Sequence, residues 1–150
     1  MLELFATAII TVSSALLFGY WFRYTCLLIL STRTARDYAR TVAEANELNV
    51  LHVQAELSAG SSADLDRLHQ SLERDFEVLR FLFRNAAEAG GNQQLEDRML
   101  GLYYRLMSGC FATTRGFSDA WARRALEGMS LVVEHFANAL GERAEAAAAA

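Results

Sequence analysis

Lysine and proline are both absent from this 150-residue chain. Without lysine there is no Schiff-base amine, no Walker-type phosphate loop and no lysine general base. Without proline there are no Pro-rich docking segments, and the usual punctuation of an all-β chain is largely missing. Metal and nucleophile chemistry is thinly supplied too, with three histidines and two cysteines. Di-iron bundles use Glu-x-x-His pairs, and none occurs; the nearest pattern, Asp66-x-x-His69, appears once. Glu134 and His135 are adjacent and so point in different directions on a helix. His52, His69 and His135 are therefore expected to be surface or hydrogen-bonded structural groups, and no cofactor or metal is called for. No Gly-x-Ser-x-Gly elbow exists. Cys26 and Cys110 are expected to stay unpaired, with Cys110 in the core of its helix packing.

A long apolar run opens the chain. Leu4 to Phe22 carries no charge over 19 residues, Arg23 interrupts, and Tyr24 to Thr32 is again uncharged. About 20 apolar residues cross a typical hydrocarbon core as a helix. A cleaved signal peptide fits less well. Met1-Leu2-Glu3 is not basic, the run is too long, and no small-residue cleavage site ends it. The expectation is an uncleaved signal anchor over 1–32, its span either Leu4–Phe22 or about Ile9–Ser31. Arg33, Arg36 and Arg40 follow the run, so the positive-inside bias puts the N-terminus outside and the C-terminal side in the cytoplasm. Tyr20, Trp21 and Tyr24 around Arg23 resemble an interfacial belt with a snorkelling arginine. Thr7, Thr11, Ala15 and Gly19 are small and spaced by four, with Arg23 next in the row. Such spacing lets membrane helices approach closely, although these residues are also common in membrane helices generally.

Residues 33–145 read as a helical bundle domain and 146–150 as an Ala-rich tail. Three breaks, 59–62, 90–92 and 116–118, pair a glycine suited to end one helix with a Ser or Asn suited to cap the next. Between them the apolar residues recur at three and four. Leu65, Leu68, Leu72, Phe76, Leu79 and Phe83 form one row; Leu95, Met99, Leu102, Leu106 and Cys110 another; Trp121, Ala125, Met129, Val132, Phe136 and Leu140 a third. The segment 33–58 is less regular, fitting at Tyr38, Val42, Ala45 and Leu48 before Val50, Leu51 and Val53 blur it. The fold class predicted is all-α: one transmembrane helix, then an antiparallel bundle of about four helices in the cytoplasm.

Charge is unevenly spread. Residues 41–97 hold eleven acids and four arginines, whereas 98–124 hold five arginines and one acid. The basic stretch also carries aromatics, and Arg with aromatics is favoured at protein interfaces. Arg115, Trp121, Arg123 and Arg124 are thus candidates for partner docking; the competing reading is that these arginines neutralise the acidic helices. The bundle is net acidic, which speaks against nucleic acid. All 14 basic residues being arginine points to a GC-rich bacterial genome. The function expected is a non-catalytic accessory, assembly or scaffolding subunit of a membrane protein complex in the cytoplasmic membrane. Its partners would be the lipid bilayer, the transmembrane helices of other subunits, or a second copy of itself. The alternative is a membrane-tethered adaptor or signalling bundle.

Overall fold

A computed structural model describes residues 1–31, 37–60, 64–86 and 91–149, and among them finds six helices and no strand. The chain forms two compact units, Met1–Thr32 and Arg33–Ala150.

The first unit is one uninterrupted helix, α1, Leu2–Ser31. At about 1.5 Å per residue it is roughly 45 Å long, more than a hydrocarbon core requires. Its Glu3–Ser31 stretch is long and apolar enough to cross a membrane. Leu4, Phe5, Ile9, Ile10, Leu16 and Phe18 are all exposed, so the apolar surface runs round the helix instead of forming one stripe. A helix apolar on every side lies in lipid or inside protein.

The second unit holds five helices: α2 (Ala39–Ala45), α3 (Val50–Ser58), α4 (Leu65–Ala86), α5 (Gly91–Thr114) and α6 (Asp119–Ala149). The last of these is the spine. Ala122, Ala125, Leu126, Met129, Val132, Val133, Phe136 and Ala137 are buried and occupy several of its faces, so the other four helices all lie against it. Small residues make the approach possible. A Cβ on Gly128 would sit 3.2 Å from the Met107 side chain, and one on Gly141 would overlap Tyr38, 2.7 Å from its Cγ. Leu72 and Leu79 on α4 and Leu100 on α5 complete a dry centre. Each such side chain contributes about 1.5–3 kcal/mol by leaving water.

Contacts along the helices fix their directions. Asp66 pairs with Arg115, the His69 ring stacks on Phe111, and Phe76 stacks on Tyr104 at 3.9 Å, so α4 and α5 run antiparallel. Asp97 meets Arg143 and Gly128 faces Tyr103 and Met107, so α5 and α6 are antiparallel as well; Gln54 meets Glu134 across α3 and α6. The all-helical class follows the expectation, and the helix runs through the alanine tail as far as Ala149.

Two expectations need correction. First, the segment before Gly60 is not one helix but two, broken at Asn46–Asn49. Leu48 N–H donates to the Ala43 carbonyl at 2.9 Å while Glu47 takes a φ of 52°. This is a helix-ending motif that normally recruits glycine at the left-handed position. The new start at α3 is capped from outside: buried Asp75 of α4 accepts the Asn49 backbone N–H at 2.6 Å. Second, the row chosen on α5 faces outward. Leu95, Leu102, Leu106 and Cys110 are exposed; the buried row is Leu100, Tyr103, Tyr104 and Phe111. Cys110 is therefore not a core residue. Of the three breaks, Gly60 has the left-handed φ of 63° expected at a helix end. Ser61 and Gly90 lie outside the described residues. The cap of α4 falls to Asp64, whose Oδ1 accepts from Asp66 N–H at 3.1 Å and Arg67 N–H at 3.4 Å.

Candidate functional site

Three helix faces converge on one groove. Along α4, Phe76, Arg80, Phe83 and Arg84 are spaced at four, three and one, which stacks them on one side of a 3.6-residue helix. Asp97, Arg98, Gly101, Leu102 and Arg105 do the same on α5, and Phe136 and Arg143, two turns apart, supply the floor from α6. The cavity between them has a volume of about 520 Å³. That lies within the roughly 300–1,000 Å³ common for ligand pockets.

The floor is aromatic and tightly interlocked. Phe83 meets Phe136 edge-on at 5.1 Å between centroids, and Phe76 meets Phe136 at 5.8 Å. Arg143 lies across this floor with its guanidinium carbon 4.1 Å from the Phe83 ring centre, a cation–π geometry. Its Nη2 donates to Asp97 Oδ2 at 3.4 Å. Burial raises the Asp97 pKa, and the charge and hydrogen bond of Arg143 oppose that shift.

Above the floor the rim is basic. Arg80, Arg84, Arg98 and Arg105 are exposed, and none has an ion pair or hydrogen bond to another described residue. With Arg143 the lining has five guanidiniums against one carboxylate, and that carboxylate is already engaged. Guanidinium stays protonated and is neither a base nor a nucleophile; its fork of donors suits bidentate pairing with carboxylate or phosphate. Burial, reinforced by Glu73, Asp75 and Glu77, pushes the Tyr104 hydroxyl well above its ordinary range. Burial lowers the His135 pKa, against the pull of Asp97, Glu96 and Glu142. Chemically the groove is equipped to hold an anion. Among the described residues no cluster of three or more metal-binding side chains occurs.

Comparison with known protein families, curated proteins and solved structures finds no match.

The residues named from sequence fall elsewhere. On α1, Thr7 and Thr11 hydroxyls donate back to the Glu3 and Thr7 carbonyls, each at 2.8 Å, so they bond within their own helix. Ala15, Gly19 and Arg23 are exposed, and a Cβ on Gly19 would meet nothing within 4 Å. At the α5–α6 turn the proposed docking cluster is only partly assembled. Arg124 lies 5.8 Å over the Trp121 ring, and Trp121 remains exposed. Arg123 is half-buried, and Arg115 is drawn across to Asp66 on α4, the internal neutralisation that competed with docking. Sequence reasoning noted Arg98 and Arg105 but missed Arg80, Arg84 and Arg143. The available signal was local: Arg80 and Arg84 share a face with Phe76 and Phe83, and Arg98 and Arg105 are two turns apart with Leu102 between.

Proposed function

We propose that the chain is a membrane-anchored, non-catalytic accessory or scaffolding subunit whose bundle works by binding. One observation carries this reading. An α-helix apolar on every face is joined to a bundle whose groove gathers guanidiniums around an aromatic floor. Such a groove recognises charge and shape: its lining is guanidinium and hydrocarbon, with one carboxylate, Asp97, held by Arg143. In this reading α1 is a single-pass anchor, with the N-terminus outside and the bundle in the cytoplasm, in agreement with the arginines that follow the apolar run.

Partner contacts fall to two surfaces. The row Thr7, Thr11, Ala15, Gly19 and Arg23 lets a neighbouring transmembrane helix come close, because nothing projects from Gly19 to hold it off. The exposed Trp121 with Arg115, Arg123 and Arg124 offers an aromatic anchor with cationic flanks to another subunit. Affinity purification of the full chain from mild detergent, followed by mass spectrometry, tests the reading. A stoichiometric membrane partner is expected, reduced by Ala15→Leu with Gly19→Leu and by the joint change of Arg115, Arg123 and Arg124 to Gln. Recovery of the chain alone, or undiminished partner with both variants, overturns it.

A further inference from the structure

We infer that the α4–α5–α6 groove is a binding site for a phosphate-bearing amphiphile: a doubly charged phosphate monoester head on an apolar body. The inference goes beyond the accessory role and holds or fails independently of it. Four rim arginines from two helices, Arg80, Arg84, Arg98 and Arg105, surround one mouth without a carboxylate of their own among the described residues. Like charges at the spacing of Arg80 and Arg84 weaken a helix, and an anion entering the mouth relieves that repulsion. A single carboxylate would answer one guanidinium fork. A phosphate dianion presents three oxygens and two charges and engages two or more forks at once. Arg143 adds a fixed charge from below, held in place by Asp97 and the Phe83 ring.

The apolar half of the ligand is called for by the rest of the lining. Leu102 is exposed within the groove, Phe76, Phe83 and Phe136 close it underneath, and Gly101 leaves its wall bare. A Cβ on Gly101 would meet nothing within 4 Å, so the space beside it is open for a chain to occupy. A free inorganic anion would leave this apolar surface wet.

The experiment uses the full chain in neutral non-ionic detergent at low salt, with calorimetric titration. Dihexanoyl phosphatidic acid is expected to bind saturably at one per chain. Inorganic phosphate should bind at least tenfold more weakly, and dihexanoyl phosphatidylcholine, with the same tails and no net charge, should not bind. Arg84→Gln with Arg98→Gln should weaken phosphatidic acid at least tenfold while leaving the unliganded melting temperature in place. Gly101→Leu keeps every arginine but fills the groove, and it should abolish binding. Nanodiscs of phosphatidylcholine doped with long-chain phosphatidic acid then separate two sources of the same chemistry. If the doped bilayer blocks uptake of the dihexanoyl compound, a membrane lipid headgroup occupies the groove; if uptake persists, the ligand is a soluble phosphate ester. Absence of saturable binding, equal binding of phosphatidylcholine, or full binding by Gly101→Leu overturns the inference, the last because it reduces the effect to diffuse surface charge.

Discussion

Replacing Asp75 with alanine should loosen the bundle at the start of α3. Asp75 is 1% exposed, yet it is a carboxylate. It is tolerated because it ends the donor shortage at the start of α3: it accepts the Asn49 backbone N–H at 2.6 Å and also bonds the Val50 N–H and the Asn49 side chain. Alanine leaves two backbone donors without that acceptor. A buried unsatisfied donor costs about 1–3 kcal/mol, and a lost helix cap about 0.5–2 kcal/mol. Part is returned, because burial raises the Asp75 pKa and so disfavours the charge that alanine removes. A net loss of about 2–3 kcal/mol remains, near 10 °C in melting temperature at roughly 4 °C per kcal/mol for a domain of this size. Calorimetry on the full chain in detergent reads the global change. Hydrogen exchange at Asn49, Val50 and Leu51 reads the local one, and exposed Glu77→Ala serves as the control. Melting within about 2 °C of the parent, with unchanged protection at these amides, would refute the argument that Asp75 holds the broken first segment together.

Glycine substitutions separate packing from propensity. Gly109→Ala, with nothing within 4 Å of the new Cβ, should gain up to about 1 kcal/mol of helix propensity and melt higher. Gly141→Ala has the same propensity gain but drives into Tyr38, so overpacking of about 1–3 kcal/mol should lower its melting temperature; equal shifts for the two would contradict the α2–α6 contact. A third expectation concerns pH. The folded pKa of His135 is lowered below 6.5 by burial, so its share of stability is complete above 6.5 and lost as pH falls through the folded value. Asp75 and Asp97 act in the opposite sense, since raised carboxylate pKa values give stability below 3.8 that is lost as pH rises through the folded values. Melting curves between pH 7.5 and 5 should therefore fall less for His135→Gln than for the parent, and an identical slope would count against a half-buried neutral imidazole.

Helix class and the three long bundle helices α4, α5 and α6 were legible because apolar spacing is a strong signal where one face alone is buried. On α4 the row Leu68, Leu72, Phe76, Leu79 and Phe83 is the buried one. On α5 the same method fails for a physical reason: this helix carries two apolar rows, and period alone does not tell which faces the spine. Tyr103 and Tyr104, less apolar by scale than Leu102 and Leu106, are the ones covered. The break at Glu47 was hidden because a glutamate holds the left-handed position where glycine would have announced it. Burial of Asp75 cannot be read from sequence either, since its partner is a backbone amide on another helix. The groove stayed out of sight for a similar reason. Its arginines come from the acidic stretch, the basic stretch and the tail-ward end of α6, and only the tertiary packing of three helices brings them to one mouth.

The account depends most on α1 being an anchor with the bundle on its cytoplasmic side, and the scarcity of cysteine makes this measurable. Cys110 is exposed on α5, so in a Cys26→Ser chain it is the sole thiol and open to reagent. The chain is expressed in a bacterial host, spheroplasts are treated with a membrane-impermeant maleimide before or after lysis, and membranes are collected. The expected result is a chain found in the membrane pellet after alkaline extraction, unlabelled in intact spheroplasts and labelled at Cys110 once they are lysed. Labelling in intact spheroplasts would reverse the orientation, and recovery of the chain in the soluble fraction would contradict the anchor itself.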